Sequence, residues 1–171
     1  MLVYPIPDAE GKANGRTAKL HPDQGQTLVD IVYDEELEFE AVDILGKNAC
    51  LNLRVKCSLP YLVLQVNDLD KFCSVDLTVV DMHRRVRKVS LTNRQTMTRV
   101  QDDSCSMPLV MVKGWNYVNL DLPDISRRAF GVDHKYCKCI SIHGSLRVGK
   151  VYFQREVFDD SQLPEFLRVA H

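Results

Sequence analysis

From residue 27 onward the sequence is a succession of short alternating runs separated by turn residues, and that spacing constrains the fold more than any other feature. Runs at 27–33, 37–44 and 50–56 alternate. In the second, Leu37, Phe39 and Ala41 share one face and Glu36, Glu38 and Glu40 the other. Residues 60–67 are nearly all apolar, which predicts a central strand covered on both sides, with Leu62 and Leu64 in the core. Further runs follow at 72–81, 84–91, 95–101, 109–112 and 115–120. The last pair, 136–143 and 147–154, is predicted as a hairpin turning at Gly144-Ser145, with Tyr152 and Phe153 as core residues. Helical signal is thin. Pro123 at the start and Gly131 at the end frame a helix of one or two turns, and 159–166 supply another turn, shortened by Pro164. The expectation is an all-β, antiparallel β-sandwich with one or two short helices.

Residues 7–26 are rich in Gly, Pro, Asn, Asp and Gln, so 1–26 is read as an irregular N-terminal segment and 27–171 as a single sandwich domain. At 171 residues the chain is long enough to bury a core without cross-links. Its six cysteines are therefore expected to be reduced, buried or half-buried thiols. Nothing at the N-terminus has the basic and apolar pattern of a secretory signal. No apolar run reaches the roughly 18–20 residues a spanning helix needs. A soluble intracellular protein without a membrane role is expected.

Motifs for chemistry are sparse. Gly144 to Lys150 matches the Gly-x4-Gly-Lys half of a phosphate loop, but Val151 stands where the metal-binding hydroxyl belongs, and Tyr152-Phe153 continues a strand. The two glycines are better read as a turn and a bulge. Cys137, Cys139 and His143 share a face of one straight strand, yet roughly 20 Å separates the first from the last, too far for one zinc ion. No catalytic, cofactor or metal residues are assigned, and an enzyme is not expected. Trp115 is the single tryptophan. It is read as a core anchor, with an exposed sugar-stacking platform, as in a carbohydrate-binding module, as the alternative.

The charge pattern is the functional lead. The formal net charge is −1, which argues against a general nucleic-acid coat. Yet residues 1–50 hold ten acidic and four basic side chains, and 51–100 hold four acidic and nine basic. Between Asp81 and Asp102 there is no acid, while Arg84, Arg85, Arg87, Lys88, Arg94 and Arg99 all fall there. Arg127 and Arg128 add to the set from the short helix. Arginine forks suit carboxylates, so an acidic protein partner is expected; aromatic interleaving of the kind RNA-binding sheets use is absent.

Nine short motifs then stand in a familiar order: Leu59-Pro60-Tyr61-Leu62-Val63, Arg84-Arg85-Val86-Arg87, Thr98-Arg99-Val100, Cys105-Ser106-Met107-Pro108-Leu109, Gly114-Trp115-Asn116, Arg127-Arg128-Ala129-Phe130-Gly131, Ile142-His143, Val151-Tyr152-Phe153 and Leu163-Pro164-Glu165-Phe166. Over about 42–168 the chain resembles the cilia- and flagella-associated protein twenty (Bug twenty-two) family. It departs from that family's pattern at Lys138, at Gly149 and in the lack of a long N-terminal stretch ending in Trp. The resemblance implies a jelly-roll sandwich like those of carbohydrate-binding modules. It also implies a non-enzymatic structural protein of the ciliary axoneme and basal body. Partners implied are tubulin of the A- and B-tubule walls and the Parkin co-regulated protein, at the inner junction of the doublet. The basic set would then face tubulin and the acidic 23–43 region another neighbour. Reversing Arg84, Arg85 and Arg87 to Glu is expected to abolish incorporation and leave the fold intact.

Overall fold

Two strands of 21 residues organise the molecule, β6 (Tyr61–Asp81) and β11 (His134–Gln154), paired antiparallel along almost their whole lengths. The computed structural model describes residues 2–4, 19–20, 28–46, 48–158 and 160–163. Most of the irregular segment expected at 1–26 and much of the turn expected at 159–166 lie outside the described residues; a short 3-10 turn occupies Asp160–Gln162.

Each long strand merges two predicted ones, and the predicted hairpin at Gly144-Ser145 is a bend within β11. Gly144 has φ +90°, and a Cβ there would lie 2.2 Å from the Phe72 carbonyl oxygen. The two backbones therefore meet too closely for any side chain, and the register shifts between Gly144 and Leu146. Both strands turn together at this level, so the sheet folds over on itself. On one side of the bend, β6 pairs with β10 (Gly114–Asp121), while β11 pairs with β4 (Phe39–Leu45) and β1 (Leu2–Tyr4), and β3 (Leu28–Asp34) lies outside β4. On the other side β11 pairs with β5 (Cys50–Cys57), flanked by β2 (Lys19–Leu20), and β6 pairs with β7 (Val86–Thr92). Beyond β7 lie β9 (Ser104–Pro108) and β8 (Arg99–Val100).

β9 is unpredicted. It inserts between β7 and β8 and runs parallel to β7, so the sheet is mixed rather than wholly antiparallel. The run predicted at 95–101 contributes only two strand residues, and 109–112 forms no strand. The predicted helix is present as α1 (Leu122–Phe130). The Asp121 carboxylate accepts the Asp124 N–H, and Gly131 closes the helix in the left-handed conformation.

One apolar cluster fills the space between the two layers and includes Leu62, Leu64, Val75, Leu77, Ile140, Ile142, Leu146 and Phe153. Tyr152 points the other way and joins Val63 and Leu163 in a small second cluster. Trp115 corrects the core expectation. It is only half-buried and lies on the outer side of the first layer, over Gly149, where a Cβ would come within 3.1 Å of the indole. The bulge expected at Gly149 is present as a register shift between Val148 and Lys150.

Candidate partner-binding surface

The basic run after β6 divides by strand periodicity. Val86 and Lys88 face outward, while Arg87, Val89 and Leu91 face inward. Arg87 is thus a correction to the predicted partner surface. It is 6% exposed, its Nε lies 3.0 Å from an oxygen of Asp81, itself 1% exposed, and it also bonds the Asp103 carboxylate and the Asp102 carbonyl. Its guanidinium stacks on the Phe130 ring at 5.2 Å. Burial alone would raise the Asp81 pKa; the Arg85 N–H and the Arg87 guanidinium outweigh it and hold the carboxyl below the usual range. Arg87 fastens the β6–β7 turn to α1, and reversing its charge would break the fold.

The other predicted residues are exposed, but they form separate groups rather than one stripe. Arg84 and Arg85 occupy the turn between β6 and β7, where Arg84 has φ 65°. That turn sits beside the end of α1, because the Met82 N–H bonds the Asp133 carbonyl and Arg87 reaches Phe130. Arg127 and Arg128 project from the same end of α1 and make loose pairs, at 3.9 Å to Asp133 and 3.2 Å to Asp124. Arg94 and Arg99 stand apart. They line an open groove of about 430 Å³ with Phe72, Met97 and the hydroxyls of Ser74, Ser90 and Thr92. Arg94 stacks on Phe72 at 4.7 Å.

The acidic third of the sequence is split in the same manner. Glu35, Glu36, Glu38 and Glu40 are exposed around the β3–β4 turn. Asp34 and Asp43 are instead buried against Arg147, whose guanidinium bonds both oxygens of Asp43 and lies 2.7 Å from Asp34. Burial opposes ionisation of Asp34, but Arg147 and the N–H groups of Leu37 and Glu36 hold its pKa below the usual range. The exposed glutamates adjoin Gly149 through Leu37, and the Arg84–Arg85 turn adjoins His134. Acid and base therefore lie beside different halves of β11, on either side of its bend.

The expected shared face of Cys137, Cys139 and His143 does not exist. The register shifts between Cys137 and Cys139, which turns Cys137 into the core and leaves Cys139 and His143 on the outer face. Among the described residues no group of three metal-ligating side chains forms. Asp76, unremarked in the sequence, links the Ser90 hydroxyl to His143 Nε2 at 3.2 Å, and His143 first among its neighbours holds its pKa down. Arg54, Lys56 and Lys138 come from distant positions, so no local motif marks them as a group. Among the described residues no helix is long and apolar enough to cross a membrane.

The folded-over mixed sheet with one short helix is an all-β, sandwich-type fold that carries charged, open grooves. The CFA20 domain model matches residues 9–171, and the chain belongs to that family. The chain is similar to Cilia- and flagella-associated protein 20 of Chlamydomonas reinhardtii, with 28% identity over 142 residues, 78% of this chain and 75% of that protein. The protein of the same name from Paramecium tetraurelia is 27% identical over 142 residues, covering 78% and 74%. That from Caenorhabditis elegans is 29% identical over 143 residues, covering 78% and 70%.

Proposed function

We propose that this protein is a structural component of the ciliary or flagellar axoneme that binds tubulin in the doublet microtubule, in the manner of an inner-junction protein. Family membership and the names of its relatives support the ciliary part. The observation that carries the contact is the pair Arg84 and Arg85. Both are exposed on a turn clamped by buried Arg87, and neither is in an ion pair among the described residues. A rigid turn presenting free arginine forks suits an acidic wall such as tubulin; Arg127 and Arg128 on the adjoining end of α1 extend its positive field, while Lys88 and the Arg94–Arg99 groove add separate cationic groups. The glutamates beside the other half of β11 would face a second neighbour, such as the Parkin co-regulated protein. Opposite charges on separate surfaces would set orientation more than affinity. No catalytic or cofactor role is assigned.

A tagged copy is expected to concentrate in cilia and to remain on axonemes after detergent extraction. The variant Arg84→Glu with Arg85→Glu should fold and fail to incorporate. Diffuse distribution of the wild-type copy, or normal incorporation of the variant, would refute the assignment. A sugar platform is disfavoured by Trp115, whose Nε1 is buried and whose ring lies against Gly149.

A further inference from the structure

At one level of the second layer, the ladder is interrupted on both sides of β11. Toward β5, two residues, Val55 and Lys56, stand opposite the single Lys138; toward β6, Lys138 has no partner between Cys137–Val79 and Cys139–Thr78. Bulges of this kind bend strands and re-aim side chains. Here they open a groove of about 690 Å³ lined by Arg54, Lys56, Lys138, Tyr136, Thr78 and Cys139. Lys56 sits 5.9 Å above the Tyr136 ring. Arg54, Lys56 and Lys138 are all exposed, and none is in an ion pair among the described residues.

From Arg54 a row of residues leads to a further exposed cation, Lys88. Arg54, Cys139, Thr78 and Lys88 are successive cross-strand partners, forming one row across β5, β11, β6 and β7. Three strand spacings make that row roughly 14 Å long, the span of about four residues of extended chain. The nearby acid on this face, Asp76, is occupied by Ser90 and His143.

We propose that the Arg54–Lys56–Lys138 groove binds an extended acidic segment of a partner polypeptide, with its carboxylates over the three cations. The site lies on a different face element from the Arg84–Arg85 turn and does not rest on where the protein resides. A peptide is favoured over a nucleic acid because the groove offers one ring, Tyr136, where single-stranded bases need several to stack on.

The test is fluorescence anisotropy with a labelled peptide of eight glutamates, using the eight-glutamine peptide and an eight-uridine RNA as comparisons. The full chain should bind the glutamate peptide and ignore the glutamine one. Arg54→Gln, Lys56→Gln and Lys138→Gln together should weaken binding about tenfold or more, as loss of several charged contacts does. Arg84→Glu with Arg85→Glu should change it less than about threefold, as expected for charges outside the contact. Neutral replacements at exposed positions preserve folding, which a thermal melt checks. Equal loss in the two variants would overturn the site. So would a groove-dependent preference for the RNA, or no binding of the glutamate peptide by the wild-type chain.

Discussion

Arg87 offers the sharpest test, because sequence and structure assign it opposite roles. In Arg87→Ala, the Asp81 carboxylate, 1% exposed, loses its 3.0 Å partner, and Asp103 and the Asp102 carbonyl lose a donor. Breaking a buried pair from one side costs about 3–5 kcal/mol, since the remaining charge stays desolvated. The guanidinium packed on Phe130 is lost as well. For a chain of this size that loss corresponds to a melting point lower by roughly 10 °C. Arg84→Ala and Arg85→Ala remove exposed side chains and should each stay within about 0.5 kcal/mol of wild type. Urea and thermal unfolding followed by circular dichroism measure all three. Adding Asp81→Asn to Arg87→Ala should recover part of the loss, as coupled partners do in a double-mutant cycle. If Arg87→Ala falls within 1 kcal/mol of wild type, or if Arg84→Ala costs as much, the clamp argument is wrong.

Three further expectations follow from the same structure. Gly144→Ala places a Cβ 2.2 Å from the Phe72 carbonyl at φ +90° and should destabilise by about 3 kcal/mol in urea; a near-neutral result would deny the close approach at the bend. Burial pushes the Cys137 thiol up to about 12 and Cys73 up to about 11, and Cys57 and Cys105 are also buried, so a thiol reagent at pH 8 should modify only Cys50 and Cys139 quickly in the folded chain. The Asp34 pKa is lowered on folding, so its stabilisation is complete above the unfolded value of about 4 and is lost as pH falls through the folded one. In Arg147→Leu that stabilisation is gone, so the variant's deficit should be largest near pH 7 and shrink below pH 4; a deficit independent of pH would refute the role of Arg147.

The legible parts of this protein are those written in local chemistry. The alternating run at 37–44 locates β4, although Leu37, Glu36 and Glu38 fall in the turn before it and Val42 and Ile44 are the residues that enter the main core; Leu62 and Leu64 are core residues by the density of apolar neighbours alone. Pro123 and Gly131 bracket α1 because proline suits a first turn and glycine a left-handed cap. The exposed arginines were also legible as a concentration of charge, and the order of short motifs pointed to the family.

What the sequence left undetermined depends on partners far along the chain. Gly144 reads as a hairpin turn until Phe72 lies against it, and then two predicted strands become one. Arg87 reads as one of four neighbouring cations until Asp81 and Asp103 enclose it. Cys137 and Cys139 share a face by period two, and a bulge set by the register against β5 and β6 separates them. Arg54, Lys56 and Lys138 become one groove only where that bulge occurs. Periodicity and capping are properties of a few consecutive residues, so the sequence alone determined strand-rich architecture, helix ends and net charge. Register, bends and ion pairing join residues that are distant in the chain, and only the tertiary structure decided which charges face a partner and which hold the fold.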